Sequence, residues 1–256
     1  MRRDIDEALS DWPYDPTLGE YHAREVRARD GRLVLQARIE LGILQIETEG
    51  RPDGVRPHGM PTYLDYLRYR SSKAKARGGS SAGVWTMSPE HCVEADREFI
   101  QYYHRRMAWL AVSRYDKAIE DADHTLALMD FVNKHGMNDE YKMSHERYRG
   151  LVLFHRTQAA VASALAKNRP EESIDAVLEG REKITKHHKM LSALLETDET
   201  LDERMIEQLV RLEEKIRENY SVGPTLREQL DDAVAREDYE RAAALRDQIR
   251  AQTSGR

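Results

Sequence analysis

The sequence predicts a mainly α protein with a small N-terminal module that contains a β-hairpin. Three patterns carry that prediction. From Ser88 to Gly223 every strong hydrophobic periodicity is helical. Ahead of it, residues Arg24 to Ile43 alternate apolar and polar around Asp30-Gly31, a dipeptide that favours tight hairpin turns. After Pro224, two short helical patterns lie back to back. The expected division is an N-terminal module over 1–82, a helical domain over 83–222 and a terminal helical hairpin over 223–256.

Composition narrows the function classes. The chain has 256 residues, of which 34% are charged and 40% hydrophobic, which suits a soluble helical protein. No apolar run reaches the roughly twenty residues a membrane span needs, so no membrane partner is expected. Residues Met1 to Asp6 contain no apolar core of a signal peptide, and a cytoplasmic location is the expectation. Cys92 is the single cysteine, which excludes an intrachain disulfide and a Cys-x-x-Cys zinc site. The net charge of −6 weighs against general nucleic-acid affinity, which needs clustered cations.

Residues Met1 to Leu18 form a polar arm, anchored by Trp12, Pro13, Tyr14 and Pro16, that is expected to lie extended on another surface. In the alternating stretch, Val26 and Ala28 precede the turn, and Leu33, Leu35, Ala37, Ile39, Leu41 and Ile43 follow it. A competing helical spacing runs through Leu35, Ile39, Ile43 and Ile46, which leaves open a change to helix near Gly42. Three prolines and three glycines between Gly50 and Pro61 make that stretch a loop. It reads either as plain turn chemistry or as a rigid loop presenting Arg51, Asp53, Arg56 and His58. Tyr63, Leu64, Tyr66 and Leu67 suggest a short helix. It leads into Arg68, Arg70, Lys73, Lys75 and Arg77, then Gly78-Gly79-Ser80-Ser81, which together read as a basic flexible linker. Beyond Tyr69 no aromatic interleaves with these cations, so only weak nucleic-acid contact is expected from them.

Ser88-Pro89-Glu90 combines a cap, a first-turn proline and an acid at the positive end of a helix. One helical pattern follows to Val112 and a second runs from Tyr115 to Leu128. Trp109, Tyr115, Ala118, Ala122 and Leu126 sit where a tetratricopeptide (TPR) repeat keeps its packing residues, and the pair resembles that repeat. Arg105 and Arg106 depart from it, because they fall where it expects an apolar and a small residue. A fainter second copy spans Pro170 to Ile174 with Val177, Leu178 and Gly180. Ser173 lies 55 residues after Ala118, against a period of about 34, so an insertion around Asn133 to Tyr148 is required. The resemblance implies a TPR-like helical bundle, and a plain bundle is the competing reading. Further on, Thr200 and Glu203 form a capping box, and Met205, Leu209, Leu212 and Ile216 step as a short heptad seam that suggests a coiled coil.

No motif for nucleotide, zinc-hydrolase or nucleophilic chemistry occurs. Asp121 with His124, and His187 with His188, offer at most two metal ligands each and read as surface helix residues. Glu213, Glu214 and Glu218 read as a solvated, salt-bridging face. No catalytic, cofactor-binding or metal residue is expected, and no cofactor.

The terminal stretch carries the functional reading. Thr225 and Glu228 make a capping box outside Pro224. Leu226, Leu230, Ala233 and Val234 share one helix face. A polar break at Arg236-Glu237-Asp238 follows, with Asp238 placed to cap a second helix carrying Ala242, Leu245, Ile249 and Gln252. Ala242, Ala243 and Ala244 allow close approach. A hairpin of this size buries too little to stand alone, so its seam should close against a second hairpin or another domain. With Glu237-Asp238-Tyr239-Glu240, Ala242-Ala243 and Leu245-Arg246-Asp247, the stretch closely resembles the UVR (UvrB/UvrC) motif. The resemblance implies a protein-docking element, as found in excision-repair proteins, Clp-type ATPases and small adaptors. The implied partner-binding residues are Leu226, Leu230, Ala233, Val234, Tyr239, Ala242, Ala243, Leu245, Arg246 and Ile249. The function expected is a non-enzymatic scaffold or adaptor that binds a protein partner or a second copy of itself. Two alternatives follow from the resemblance: an accessory of nucleotide-excision repair, meeting UvrB- or UvrC-like partners, or an adaptor of a Clp-type ATPase. Clp adaptors commonly carry Cys-x-x-Cys pairs that this chain lacks. An enzyme with an unrecognised site in the N-terminal module is the third class.

Overall fold

The computed structural model describes residues 5–15, 21–78, 85–195 and 201–254. The chain divides into two compact units, Met1–Ala159 and Ala160–Arg256.

The first unit opens with a single helical turn, α1 (Asp6–Ser10). Three antiparallel strands follow: β1 (His22–Arg27), β2 (Leu33–Ile39) and β3 (Gly42–Glu47), in the order β1-β2-β3. The predicted hairpin is there. Gly31, at φ 86°, closes its turn by donating to the Ala28 carbonyl at 2.9 Å. Only glycine adopts that backbone region without steric cost, which is why Asp-Gly signals the turn. The helical option near Gly42 is not taken. Glu40 and Leu41 reverse the chain, and Ile39 pairs with Gly42. A strand places Leu35, Ala37, Leu44 and Ile46 together against Ala108, Trp109 and Ala118, whereas a helix through Leu35 and Ile39 would have sent Ile39 inward; Ile39 is exposed. Across the opposite face, Arg24 donates to Gln36 at 2.8 and 3.0 Å and Gln36 to Gln45 at 3.4 Å. Of the N-terminal arm, the described residues 5–15 are helical at Asp6–Ser10 rather than extended, and Trp12 lies on the sheet. Arg38 donates to the Trp12 carbonyl at 2.7 Å, and the Arg24 guanidinium stands 4.2 Å above the Trp12 ring.

The proline- and glycine-rich loop is two consecutive turns of one design, Arg51-Pro-Asp-Gly54 and Arg56-Pro-His-Gly59. In each, the closing glycine donates to the arginine carbonyl, at 2.9 and 3.1 Å. Arg51 is 3% exposed and pairs with Glu94 at 2.9 Å and Asp53 at 3.3 Å. It is therefore engaged by its own chain, while Arg56 and His58 reach the surface. His58 stacks on Tyr66, with ring centroids 3.9 Å apart.

α2 runs from Tyr63 to Gly78. Of the linker expected from Arg68 onward, the part through Gly78 is instead the second half of this helix, and Gly79, Ser80 and Ser81 lie outside the described residues. Arg, Lys and Ala are good helix formers, and Leu64 and Leu67, both buried, fix the first half in the core. The start of α2 is capped from a distance. The fully buried Glu98 carboxylate accepts the Tyr63 and Leu64 amides at 2.5 and 3.0 Å and the His124 imidazole at 3.0 Å.

The main helical pair is α3 (Pro89–Ala111) and α4 (Tyr115–His135), followed by α5 (Asp139–Glu146) and α6 (Arg149–Ala166). Ser88 caps α3 as predicted, with the His91 side chain completing the capping box. Ala108, Ala118 and Ala122 are fully buried. Arg105 and Arg106, which stand where a repeat expects an apolar and a small residue, are 4% and 1% exposed. Arg105 grips the Asp121 carboxylate at 2.7–3.2 Å and reaches the Glu47 and Gly50 carbonyls at 3.1 and 2.8 Å. Asp121 and His124, read from sequence as surface residues, are interior partners of this network: Asp121 is 4% exposed, and His124 stacks on Tyr102 at 3.8 Å.

The fully buried Ala118 sits in the cluster that contains Ala108 and Trp109. Ala118→Leu is expected to overpack it and cost about 1–3 kcal/mol, whereas Glu120→Leu on the surface should stay within about 0.5 kcal/mol. Urea unfolding of the two variants checks this, and equal midpoints and slopes would remove the tight helix crossing.

In the second unit α7 (Pro170–Leu195) and α8 (Leu201–Tyr220) pack along one another. Ile174, Val177, Ile184 and Leu191 are buried on α7, and Met205, Leu209 and Ile216 on α8, so the short seam predicted on α8 is an inward face. Thr200 lies outside the described residues. His187 is interior rather than a surface residue: at 4% exposure it meets Asp202 at 2.6 Å. Glu213 joins the helices by accepting from Arg181 at 2.8 Å and Arg217 at 3.0 Å, so it is tied into the bundle rather than solvated.

One turn recurs between helices. Arg114, Arg169 and Asp238 each donate a backbone N–H to the carbonyl five residues back, on Trp109, Ala164 and Ala233, all at 2.9 Å. The residues just before them, Ser113, Asn168 and Glu237, take φ 59°, 55° and 60°. These are Schellman turns. Four residues beyond each comes a small buried side chain, Ala118, Ser173 and Ala242; a fourth such turn follows α8, from Val222 to Arg217 at 3.1 Å with Ser221 at φ 53°, and has Leu226 at that position instead.

Candidate docking surface

The third of these turns joins α9 (Leu226–Ala235) to α10 (Tyr239–Ser254). The helices start where the sequence places their caps. The Thr225 side chain accepts from the Glu228 amide at 3.3 Å, and Glu228 accepts the Thr225 amide at 2.8 Å. Asp238 accepts the Arg241 amide at 3.1 Å. Each pair satisfies first-turn amides that have no intrahelical partner.

The ten residues read as partner-binding divide by position. Ala233, Ala242 and Leu245 are buried in the hairpin's own seam, with Leu226 and Leu230 partly buried against them. Ala243 and Ile249 are half-buried. Val234 is 52% and Tyr239 69% exposed, flanking the turn at the tip. Arg246 is exposed, beside Asp247 at 3.2 Å. The seam thus closes within the hairpin over small side chains, and the larger apolar groups at the tip face solvent. Ala244 is exposed and takes no part in the close approach.

The base of the hairpin is held by contacts the sequence does not signal. Thr225 donates to Asp175 of α7 at 2.8 Å. Arg217 of α8 donates to Glu228 at 2.6 Å and to the Gly223 carbonyl at 2.9 Å. Partial burial works against ionised Glu228, but Arg217 and the Thr225 amide outweigh it and hold the carboxyl below its usual range. Asp175 is pushed upward by burial, with Thr225 opposing. Thr225 and Asp175 are 50 residues apart, so no local spacing announces the pair.

Among the described residues no group of three or more His, Cys, Asp or Glu is placed to hold a metal ion, and no helix is long and apolar enough to cross a membrane. What the fold presents is a capped helical hairpin, fixed at its base, with an apolar tip. Residues 224–251 match the family model of the UvrB/uvrC motif (UVR), an interaction module found in UvrB and UvrC. No curated protein and no solved structure matches the chain.

Proposed function

We propose that this protein is a non-enzymatic scaffold or adaptor that docks a protein partner, or a second copy of itself, through the tip and outer face of the terminal hairpin. The observation that carries the reading is the exposure of Val234 and Tyr239 on a hairpin whose own seam is already filled by Ala233, Ala242 and Leu245. Tyrosine is enriched among the residues that dominate interface energies, because it offers a large, rigid contact area. Leu226, Leu230, Ala243, Arg246 and Ile249 would extend the contact along both helices. The three Schellman turns that are followed by a small buried residue support a TPR-like reading of the helices before it, with the hairpin as one more unit of the same local design. A cytoplasmic setting and a repair-related or Clp-type partner belong to this proposal.

Tyr239→Ala combined with Val234→Asp is expected to reduce partner capture or self-association at least about tenfold, since a tip residue of this kind contributes about 2 kcal/mol or more. The fold should persist, because neither side chain enters the seam. Sedimentation velocity and pull-down, each compared with a chain ending before residue 223, measure the effect. Undiminished association in the double variant would sink the tip as the docking surface.

A further inference from the structure

The second half of α2 has a property the docking role does not use. From Tyr66 to Pro89 the sequence contains Arg68, Arg70, Lys73, Lys75 and Arg77 and not one Asp or Glu. Because this stretch is helical through Gly78, Arg70 and Lys73 fall one turn apart on one face. Beside them is a cavity of about 250 Å³ lined by Tyr69, Arg70, Lys73, Ala74 and Trp85. Trp85 supplies the second aromatic, fifteen residues after Arg70 and twelve after Lys73 in the chain.

The two cations at the cavity are held by rings, not by carboxylates. The Arg70 guanidinium lies 5.9 Å from the Tyr66 ring centre and donates to its hydroxyl at 3.4 Å. The Lys73 ammonium lies 5.1 Å from the Tyr69 ring centre. Among the described residues none of Arg68, Arg70, Lys73 and Lys75 is ion-paired, whereas Arg51 and Arg105 in the same unit are. Their charge is left for something else. The field is felt nearby: burial first, then Arg70, pushes the His91 imidazole below its ordinary range. Tyr69 is 41% exposed, and Trp85, half-buried beside His91, Phe131 and His135, still lines the cavity.

We propose that this cavity binds a nucleotide, with its phosphate on Arg70 and Lys73 and its base against the Tyr69 or Trp85 ring. Cations with adjacent aromatic faces are the combination by which single strands are held. An acidic peptide would use the charges but leave the rings idle. A duplex hides its base faces, so the nucleotide is either free or part of a single strand. The overall charge of −6 opposes a polyanion elsewhere on the surface, so affinity is modest and depends on these few residues.

The test uses fluorescence anisotropy of a labelled oligothymidylate of about ten nucleotides, within the usual site size, on the full chain. Wild type is expected to bind, with a log–log salt slope of about −1.4 for two phosphates. Arg70→Glu with Lys73→Glu should weaken binding at least about tenfold at unchanged melting temperature, since both side chains are on the surface of the helix. Tyr69→Ala should weaken it about fivefold or more through lost stacking, and Trp85→Phe should keep it. Competition by AMP assigns the site to free nucleotide; failure of AMP to compete assigns it to a strand. Equal binding by the charge-reversed variant, or displacement by polyglutamate as readily as by unlabelled strand, would overturn the proposal. Hairpin variants should leave this binding untouched, so its failure and that of the docking role are separable.

Discussion

Asp121→Ala should be the most damaging single substitution in the first unit, at about 3–5 kcal/mol, the range found when one partner of a buried ion pair is removed. Arg105 and Asp121 side chains are each 5% exposed. Without the carboxylate, the guanidinium keeps its bonds to the Glu47 and Gly50 carbonyls and its place 4.5 Å over the Tyr102 ring. Those carbonyls belong to the end of β3 and the loop after it, so the loss should loosen the sheet-to-helix junction as well as the α3–α4 contact. Asp121→Asn retains an acceptor and should fall between the wild type and alanine. The paired change Arg105→Met with Asp121→Leu should cost far less than Asp121→Ala, because it leaves no charge stranded. Urea unfolding of the four proteins tests the scheme. If Asp121→Ala lies within about 0.5 kcal/mol of wild type, as surface changes do, the interior placement of the pair is wrong.

Acid should weaken the same unit through His155. His155 is 8% exposed, and burial, followed by the nearby Arg106, pushes its imidazole down to about 4. Its Nδ1 has no hydrogen-bond partner among the described residues. Because the folded value lies below the ordinary 6.5, the unfolded chain takes up the proton first as pH falls. Stability is therefore flat above about pH 6.5, declines toward pH 4 and levels off below it. The full decline from this residue is about 3 kcal/mol, at 1.36 kcal/mol per pH unit of displacement. His91 and His104 are lowered chiefly by burial and add in the same direction. Urea midpoints at pH 7 and pH 5 measure the slope. His155→Leu, which cannot titrate, should flatten it; an unchanged slope would mean that the imidazole reaches water.

The terminal hairpin was legible because its determinants are local. Thr225 and Glu228 are three residues apart, the Leu226–Leu230 step is one turn, and Asp238 caps the helix that begins beside it. The same holds for the Ser88 cap and for the Asp30-Gly31 turn. Val234 shows where such reading fails: spacing put it on the seam face with Leu226 and Leu230, yet it is half exposed, because α10 covers the side of α9 nearer Ala233. Spacing gives the direction of a side chain, not what stands opposite it.

Polar residues mark the same limit more sharply. Arg105 reads as a flaw in a repeat and Asp121 as a surface acid, since each is unfavourable in a core by itself. Sixteen residues apart, they are stable there only as a pair with their remaining donors satisfied. Glu98 caps a helix that begins 35 residues before it in the chain, and His187 meets Asp202 across two helices. The basic stretch after Leu67 reads as a linker because it lacks an apolar stripe, but a helix anchored at one end continues without one. By itself, then, the sequence determined the helical class, the hairpin turns, the caps and the terminal motif, all set by residues within about two helical turns of each other. The tertiary structure alone decided which charges are buried, which faces are covered and where Trp85 meets the cations of α2, because desolvation and ion pairing depend on neighbours that the fold, and not the chain order, brings together.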